Sequence, residues 1–141
     1  MELAEIQQLI DEGKYEVSFH AQQERLEENL DLTQIERAIV ASGEILENYP
    51  NDPRGESCLL LGFVGTAPIH VVLGWATLKT DNQRMLRMIT VYSPTPPKWV
   101  DPRTGGHGHE PIPRLFILRR RSRRENNRLR LSPRKALDGR K

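Results

Sequence analysis

Residues 49–75 read YPNDPRGESCLLLGFVGTAPIHVVLGW, and this stretch decides the fold. It opens with Pro50-Asn51-Asp52-Pro53-Arg54-Gly55, a cluster of turn-forming residues. Two apolar runs follow, residues 58–64 and 69–75, separated by Gly65-Thr66-Ala67-Pro68. Turn residues flanking two β-rich runs read as a hairpin, the expected centre of a sheet. Side chains alternate along a strand, so Ile69, Val71, Leu73 and Trp75 share one face of the second arm and His70 and Val72 the other. A histidine inside an apolar strand needs a hydrogen-bond partner or a water-filled cleft.

Upstream of the hairpin the apolar spacing is helical. Leu3, Ile6, Leu9 and Ile10 fall on one face of residues 2–12, and Gly13 supplies a stop. Tyr15-Glu16-Val17 reads as short and extended. Ser18 is positioned to cap a second helix over residues 19–29, with Phe19, Leu26 and Leu30 as its apolar positions. Thr33-Gln34-Ile35-Glu36 matches a capping box for a third helix, with Leu32, Ile35, Ala38 and Ile39 inward and Gly43 just past its end. Residues 44–48 read as a strand. Downstream of the hairpin, residues 77–83 form a polar turn and 85–92 a last strand, where Thr90, Val91 and Tyr92 favour β structure. Ser93-Pro94-Thr95-Pro96-Pro97 cannot continue a sheet, since proline lacks the donor, and Trp99 is placed to pack back onto the body. The expected fold is therefore α+β. N-terminal helices lie on one face of an antiparallel sheet of about four strands, and the other face is open.

The chain has 141 residues and a net charge of +2 that conceals a division. Residues 1–102 hold 8 Lys+Arg against 16 Asp+Glu, a net −8, whereas residues 103–141 hold 13 against 3, a net +10. The expected organisation is an acidic α+β domain over residues 1–102 and a basic tail over 103–141. The tail's glycine run and arginine-rich end carry too little apolar surface to offset ordering entropy, so disorder is expected there. The single cysteine, Cys58, excludes an intramolecular disulfide and a multi-cysteine metal site, and reads as a small buried hydrophobe. No apolar run approaches the ~20 residues that span a bilayer. The N-terminal residues show no signal-peptide pattern, so the expectation is a cytoplasmic protein without a membrane partner.

The residues suited to chemistry are scattered. His20 falls in the first turn of the second helix, where the helix dipole favours an uncharged ring able to act as a base. Glu24, four residues on, shares its face and pulls the other way. The plainer reading is a histidine that tethers helix to sheet. His70 would look out from the open face, or be a satisfied core histidine. Arg54, in a turn stiffened by Pro53, has a guanidinium able to grip a phosphate through two hydrogen bonds, or simply to pair with Asp52 or Glu56. Arg87 would pair or bind an anion within the sheet. Tyr92 suits hydrogen bonding to a phosphate, stacking on a base, or the core. Arg25 is expected to pair with Glu28 or another helical acid. There is no Gly-rich phosphate loop and no GxSxG motif. His107 and His109 alone make no catalytic metal site, and no cofactor or metal is expected. Arg119, Arg120 and Arg121, with Arg123 and Arg124, would give sequence-independent phosphate affinity or remain a solvated tail.

Several pieces together resemble a bacterial family known only as a domain of unknown function, number 4258. They are Tyr15-Glu16-Val17-Ser18-Phe19-His20-Ala21, Gly43-Glu44-Ile45-Leu46-Glu47-Asn48-Tyr49-Pro50, Asp52-Pro53-Arg54-Gly55 with Cys58-Leu59, Pro68-Ile69-His70-Val71-Val72, and Ile89-Thr90-Val91-Tyr92. The resemblance spans roughly residues 8–103 and ends before the tail. Members resemble the toxin half of a pair whose antitoxin carries a zinc finger and a helix-turn-helix, and are distantly similar to RelE/ParE/MqsR-like toxins. The resemblance thus implies a compact α+β endoribonuclease that works without metal, with RNA and an antitoxin protein as partners. In that reading His20, His70, Arg54 and Tyr92 form the catalytic set, and Arg25, Arg87, Arg119, Arg120 and Arg121 bind substrate. A base takes the ribose 2′-OH proton, the oxygen attacks the adjacent phosphate, and an acid protonates the leaving oxygen. The alternative is a non-catalytic domain that binds protein or RNA by its sheet, which the net −8 body suits better. Arginines more than a phosphate's reach from His70 would favour that alternative.

Overall fold

In the computed structural model, residues 1–76 and 84–105 are described. The polar turn expected at 77–83, the tail from residue 106 onward, His107, His109, Arg119, Arg120 and Arg121 lie outside the described residues.

Helix α1 (Leu3–Asp11) buries Ile6 and Ile10 and ends as expected at Gly13, whose φ of 72° suits glycine. Strand β1 (Tyr15–Val17) leads into α2 (Phe19–Glu27). Ser18 caps α2 by accepting from the Ala21 amide at 3.0 Å. Helix α3 (Leu32–Ser42) buries Ile35, Ala38 and Ile39. Its capping box differs from the expected one. Asp31 Oδ1 accepts from the Gln34 amide at 2.8 Å, and Gln34 Oε1 accepts from the Asp31 amide at 3.1 Å. The Thr33/Glu36 pair has the same spacing two residues later, but Glu36 instead accepts a hydrogen bond from the Tyr15 hydroxyl and ties α3 to β1.

The strands β2 (Glu44–Tyr49), β3 (Ser57–Val64), β4 (Ala67–Trp75) and β5 (Leu86–Tyr92) form the expected antiparallel core, with β3 and β4 as the central hairpin. The sheet has five strands, not about four, in the order β1-β5-β4-β3-β2. The extra one is β1, which pairs in parallel with β5, Tyr15 opposite Leu86 and Val17 opposite Met88. Three residues carry no periodic signal of their own, and their partner lies far along the chain.

One face of the sheet joins Ile6, Ile10, Ile35 and Ile39 of the helices to Cys58, Leu60, Ile69, Val71, Leu73, Leu86, Met88 and Val91. Helix α3 comes so close to β3 at Gly62 that a Cβ there would lie 2.9 Å from the Ala38 carbonyl oxygen. A β-bulge interrupts β5. Val72 pairs with Thr90 but Leu73 pairs with Met88, so Ile89 is the extra residue. It reverses the alternation. Leu86 and Met88 face the helices, then Val91 does, and Thr90 and Tyr92 turn to the opposite face with Val72 and His70.

That opposite face is not open. Leu59, Leu61, His70 and Val72 are all buried, His70 completely. A small second sheet, β6 (Trp99–Asp101) and β7 (Thr104–Gly105), brings Trp99 against it, 4 % exposed. The expected boundary between residues 102 and 103 falls inside this hairpin. Of the apolar positions expected for α2, Phe19 and Leu26 are 67 % and 60 % exposed, and the helix buries Ala21 instead. Beyond the end of β1, α2 runs beside β5 rather than flat over the sheet. The Ser18 amide donates to the Met88 carbonyl at 2.9 Å, the Ser18 hydroxyl to that of Ile89 at 2.8 Å, and the Ser93 hydroxyl to Glu28 at 2.8 Å.

Candidate functional site

The antiparallel register of β4 and β5 sets His70 opposite Tyr92. Their rings meet edge to face with centroids 5.2 Å apart, and His70 Nδ1 lies 3.1 Å from the Tyr92 hydroxyl. On its other side Nε2 lies 2.7 Å from the Pro102 carbonyl oxygen. A carbonyl oxygen only accepts, so Nε2 carries a proton and donates. In the neutral ring Nδ1 is then the acceptor and the Tyr92 hydroxyl its donor. Trp99 closes the arrangement with its ring perpendicular to the imidazole, centroids 4.4 Å apart.

A second cluster comes from α2. The Ser18 cap fixes the helix start, which sets His20 in the first turn and Glu24 one turn later. His20 Nε2 lies 2.7 Å from Glu24 Oε1. The same carboxylate oxygen accepts from the Thr90 hydroxyl. The bulge turns both Thr90 and Tyr92 to the His70 face of β5, where they stand two residues or about 7 Å apart. Through Thr90 and Tyr92 the clusters His20/Glu24/Thr90 and Tyr92/His70/Pro102 meet neighbouring positions of β5, His20 and Glu24 reaching in from α2 and His70 from β4. Both polar clusters sit in an otherwise apolar setting beside Leu59, Leu61 and Val72.

The arginines stand elsewhere. Arg54 grips Asp52 through Nε at 3.3 Å and Nη2 at 3.2 Å, while its amide donates to the same carboxylate at 3.1 Å. Burial works to raise the Asp52 carboxyl, but these Arg54 contacts and the Ser57 hydroxyl hold it below the usual carboxylate value. Ser57 pairs with Gly74. Four residues of strand separate Gly74 from His70, about 13 Å, so the Arg54 turn is at the far end of the sheet from His70. Arg87 also pairs with Gly74 and forms a 2.9 Å ion pair with Glu16 across the β1/β5 ladder. Arg25 does not take the expected partner. It donates to Gln22 Oε1 at 2.8 Å and to the Leu30 carbonyl at 3.2 Å, closing the loop after α2, while Glu28 accepts from Ser93.

Sequence reasoning missed two contributors and one role. Thr90 joins the site only through the bulge. Pro102 contributes a main-chain carbonyl, which carries no residue signature. Glu24 was legible as a neighbour of His20 through the four-residue spacing, but not as its bridge to Thr90. Among the described residues no group of three or more His, Cys, Asp and Glu is placed to hold a metal ion. No helix among them is long and apolar enough to cross a membrane.

Three helices against a mixed five-stranded sheet, with a buried histidine paired to a half-buried tyrosine beneath a small hairpin, define an α+β domain. The family model described as Domain of unknown function (DUF4258) matches residues 17–93, which include β1's last residue, α2 and α3, the hairpin and all of β5, and the chain belongs to that family. No curated protein and no solved structure matches the chain.

Proposed function

We propose that this protein is a toxin-type endoribonuclease that cleaves RNA by attack of the ribose 2′-OH, with His20 and His70 as its acid and base. The observation that carries this reading is that the two histidine clusters end on Thr90 and Tyr92, two residues apart on one strand. Glu24 holds His20, and Tyr92 holds His70, so each ring has a defined direction in which to give or take a proton. Two proton-transfer groups flanking one phosphate are what 2′-OH attack and departure of the 5′-oxygen require. The resemblance to RelE/ParE/MqsR-like toxins supports the same reading and supplies its protein partner, a zinc-finger, helix-turn-helix antitoxin. Residues 103–141 would act as a basic arm in which Arg119, Arg120 and Arg121 add general affinity for phosphate.

The test is incubation of the purified full chain with RNA in EDTA, comparing wild type with His20→Ala and Tyr92→Phe. Cleavage that falls with both substitutions supports the reading. Cleavage that persists in both, or that disappears from the wild type on further purification, overturns it.

A non-catalytic interaction domain is favoured by a different observation. Arg54 and Arg87 are committed to Asp52 and Glu16 at the end of the sheet away from His70. The net −8 of residues 1–102 repels RNA at long range. In that reading the same preparation binds a protein partner and leaves RNA intact.

A further inference from the structure

The geometry points to a strap: residues 99–105 hold the His70/Tyr92 pair shut, and RNA phosphate reaches His70 only by displacing them. This inference rests on the nuclease reading and adds how its site is controlled.

Among the described residues, Trp99, Pro102 and Arg103 fasten the strap. The Trp99 ring stands on His70 at 4.4 Å, the Pro102 carbonyl accepts from Nε2 at 2.7 Å, and Arg103 pairs with Glu44 at 2.9 Å, its guanidinium 6.0 Å from the centre of the Phe63 ring. Among the described residues, β6 and β7 pair with each other and not with the five-stranded sheet. The strap therefore leans on the sheet through side chains and one carbonyl, and lifting it breaks no ladder of the main sheet. Its opening exposes Trp99 and breaks these contacts but leaves the main sheet paired, so it is a local event that costs less than global unfolding.

The atom the strap covers is the one the chemistry needs. Nε2–H donates to a neutral carbonyl in the closed form. A phosphate oxygen is a stronger acceptor, because hydrogen bonds to a charged partner are shorter and about twice as strong. Phosphate can thus take the place of Pro102 on the same proton while Tyr92 keeps Nδ1 in register. No new donor has to be recruited. One acceptor replaces another, and Trp99 leaves the space for the sugar.

The experiment measures three things on the full chain: carbethoxylation of His70, followed by peptide mass spectrometry; RNA cleavage in EDTA; and hydrogen exchange. Wild type is compared with Trp99→Ala and Arg103→Ala, and hydrogen exchange is followed on the wild type. His70 should react roughly two- to tenfold faster in Trp99→Ala, the worth of one aromatic pair, with a smaller rise in Arg103→Ala and cleavage rising in step. In the wild type, amides of 99–105 should exchange before those of β3 and β4. Faster modification with no cleavage by any variant supports the strap and overturns the nuclease reading. Unchanged His70 reactivity in Arg103→Ala and in folded Trp99→Ala, or strap amides as protected as those of β4, overturns the strap even if RNA is cleaved. Should Trp99→Ala not fold, Arg103→Ala and wild-type exchange decide alone.

Discussion

His70 and Tyr92 form a pair in which each ring depends on the other. Replacing Tyr92 by Phe removes the donor to Nδ1 and leaves a buried acceptor unmet, which costs about 1–3 kcal/mol. Urea denaturation should show that loss, and a change below about 0.5 kcal/mol would mean that another group satisfies Nδ1. His20 is a different case. It stands at the helix start, part-exposed, with Glu24 as its hydrogen-bond partner. His20→Ala should therefore lower cleavage by roughly 10²–10⁴, the usual worth of one acid–base group, and move stability far less. Equal losses of activity and stability would return His20 to a tether between α2 and β5. The residue types at this site were legible: a histidine in an apolar strand and a histidine at a capped helix start are visible in sequence. Their surroundings were not. The prolines at 94, 96 and 97 make it legible that Trp99 packs back onto the body, but nothing in the run 94–105 states that its ring and the Pro102 carbonyl will come down on His70. The Arg54/Asp52 pairing was legible as one option, since two residues across a proline turn bring the groups within reach. That Arg54 would stand some four residues of strand away from His70 depends on pairing register, which no short motif encodes.

At the level of elements, apolar spacing was sufficient for α1, α3 and the β3/β4 hairpin, where one face meets one core. It failed for α2. Phe19 and Leu26 look like core positions, but a helix beside a strand edge buries only a narrow stripe, here Ala21. The Ile89 bulge was equally hidden: one extra residue in a strand leaves no mark in composition, yet it decides which face receives Thr90 and Tyr92. Two substitutions probe the packing directly. Gly62→Ala drives a Cβ to within 2.9 Å of the Ala38 carbonyl, which is backbone and cannot swing aside. It should lower stability by about 1–3 kcal/mol, seen as a drop in Tm. An unchanged Tm would mean that α3 shifts freely on β3. Asp31→Ala removes the side-chain half of the observed capping box and should cost about 1 kcal/mol. Thr33→Ala, at the cap position the sequence suggests, should cost less, and the reverse order would restore the Thr33/Glu36 box.

For the whole molecule, alkaline pH is the informative variable. Burial pushes the Cys58 thiol up to about 11 from an ordinary 9.0. Burial, with the hydrogen bond to Glu36, pushes the Tyr15 hydroxyl well above its ordinary 10.0. Both groups lose protons more readily when unfolded. Their contributions are therefore complete below pH 9 and are lost as pH rises toward the folded values. Stability should fall from pH 9 to 11, and Cys58→Ala should flatten the first part of that fall. A denaturation midpoint that stays level across this range in the wild type would mean that these two groups are solvated alike in both states. The parallel pairing of β1 with β5 has a different kind of consequence. Glu16 and Arg87 are 71 residues apart in the chain. A ribosome delivers the N-terminus first, so β1 emerges early and must wait for nearly the entire domain before its neighbour exists. Ser18 and Glu24 wait with it, because their partners Ile89 and Thr90 are made just as late. The sheet can close only when β5 has left the exit tunnel, and α2 and the histidine it carries take their places in that same final step of synthesis.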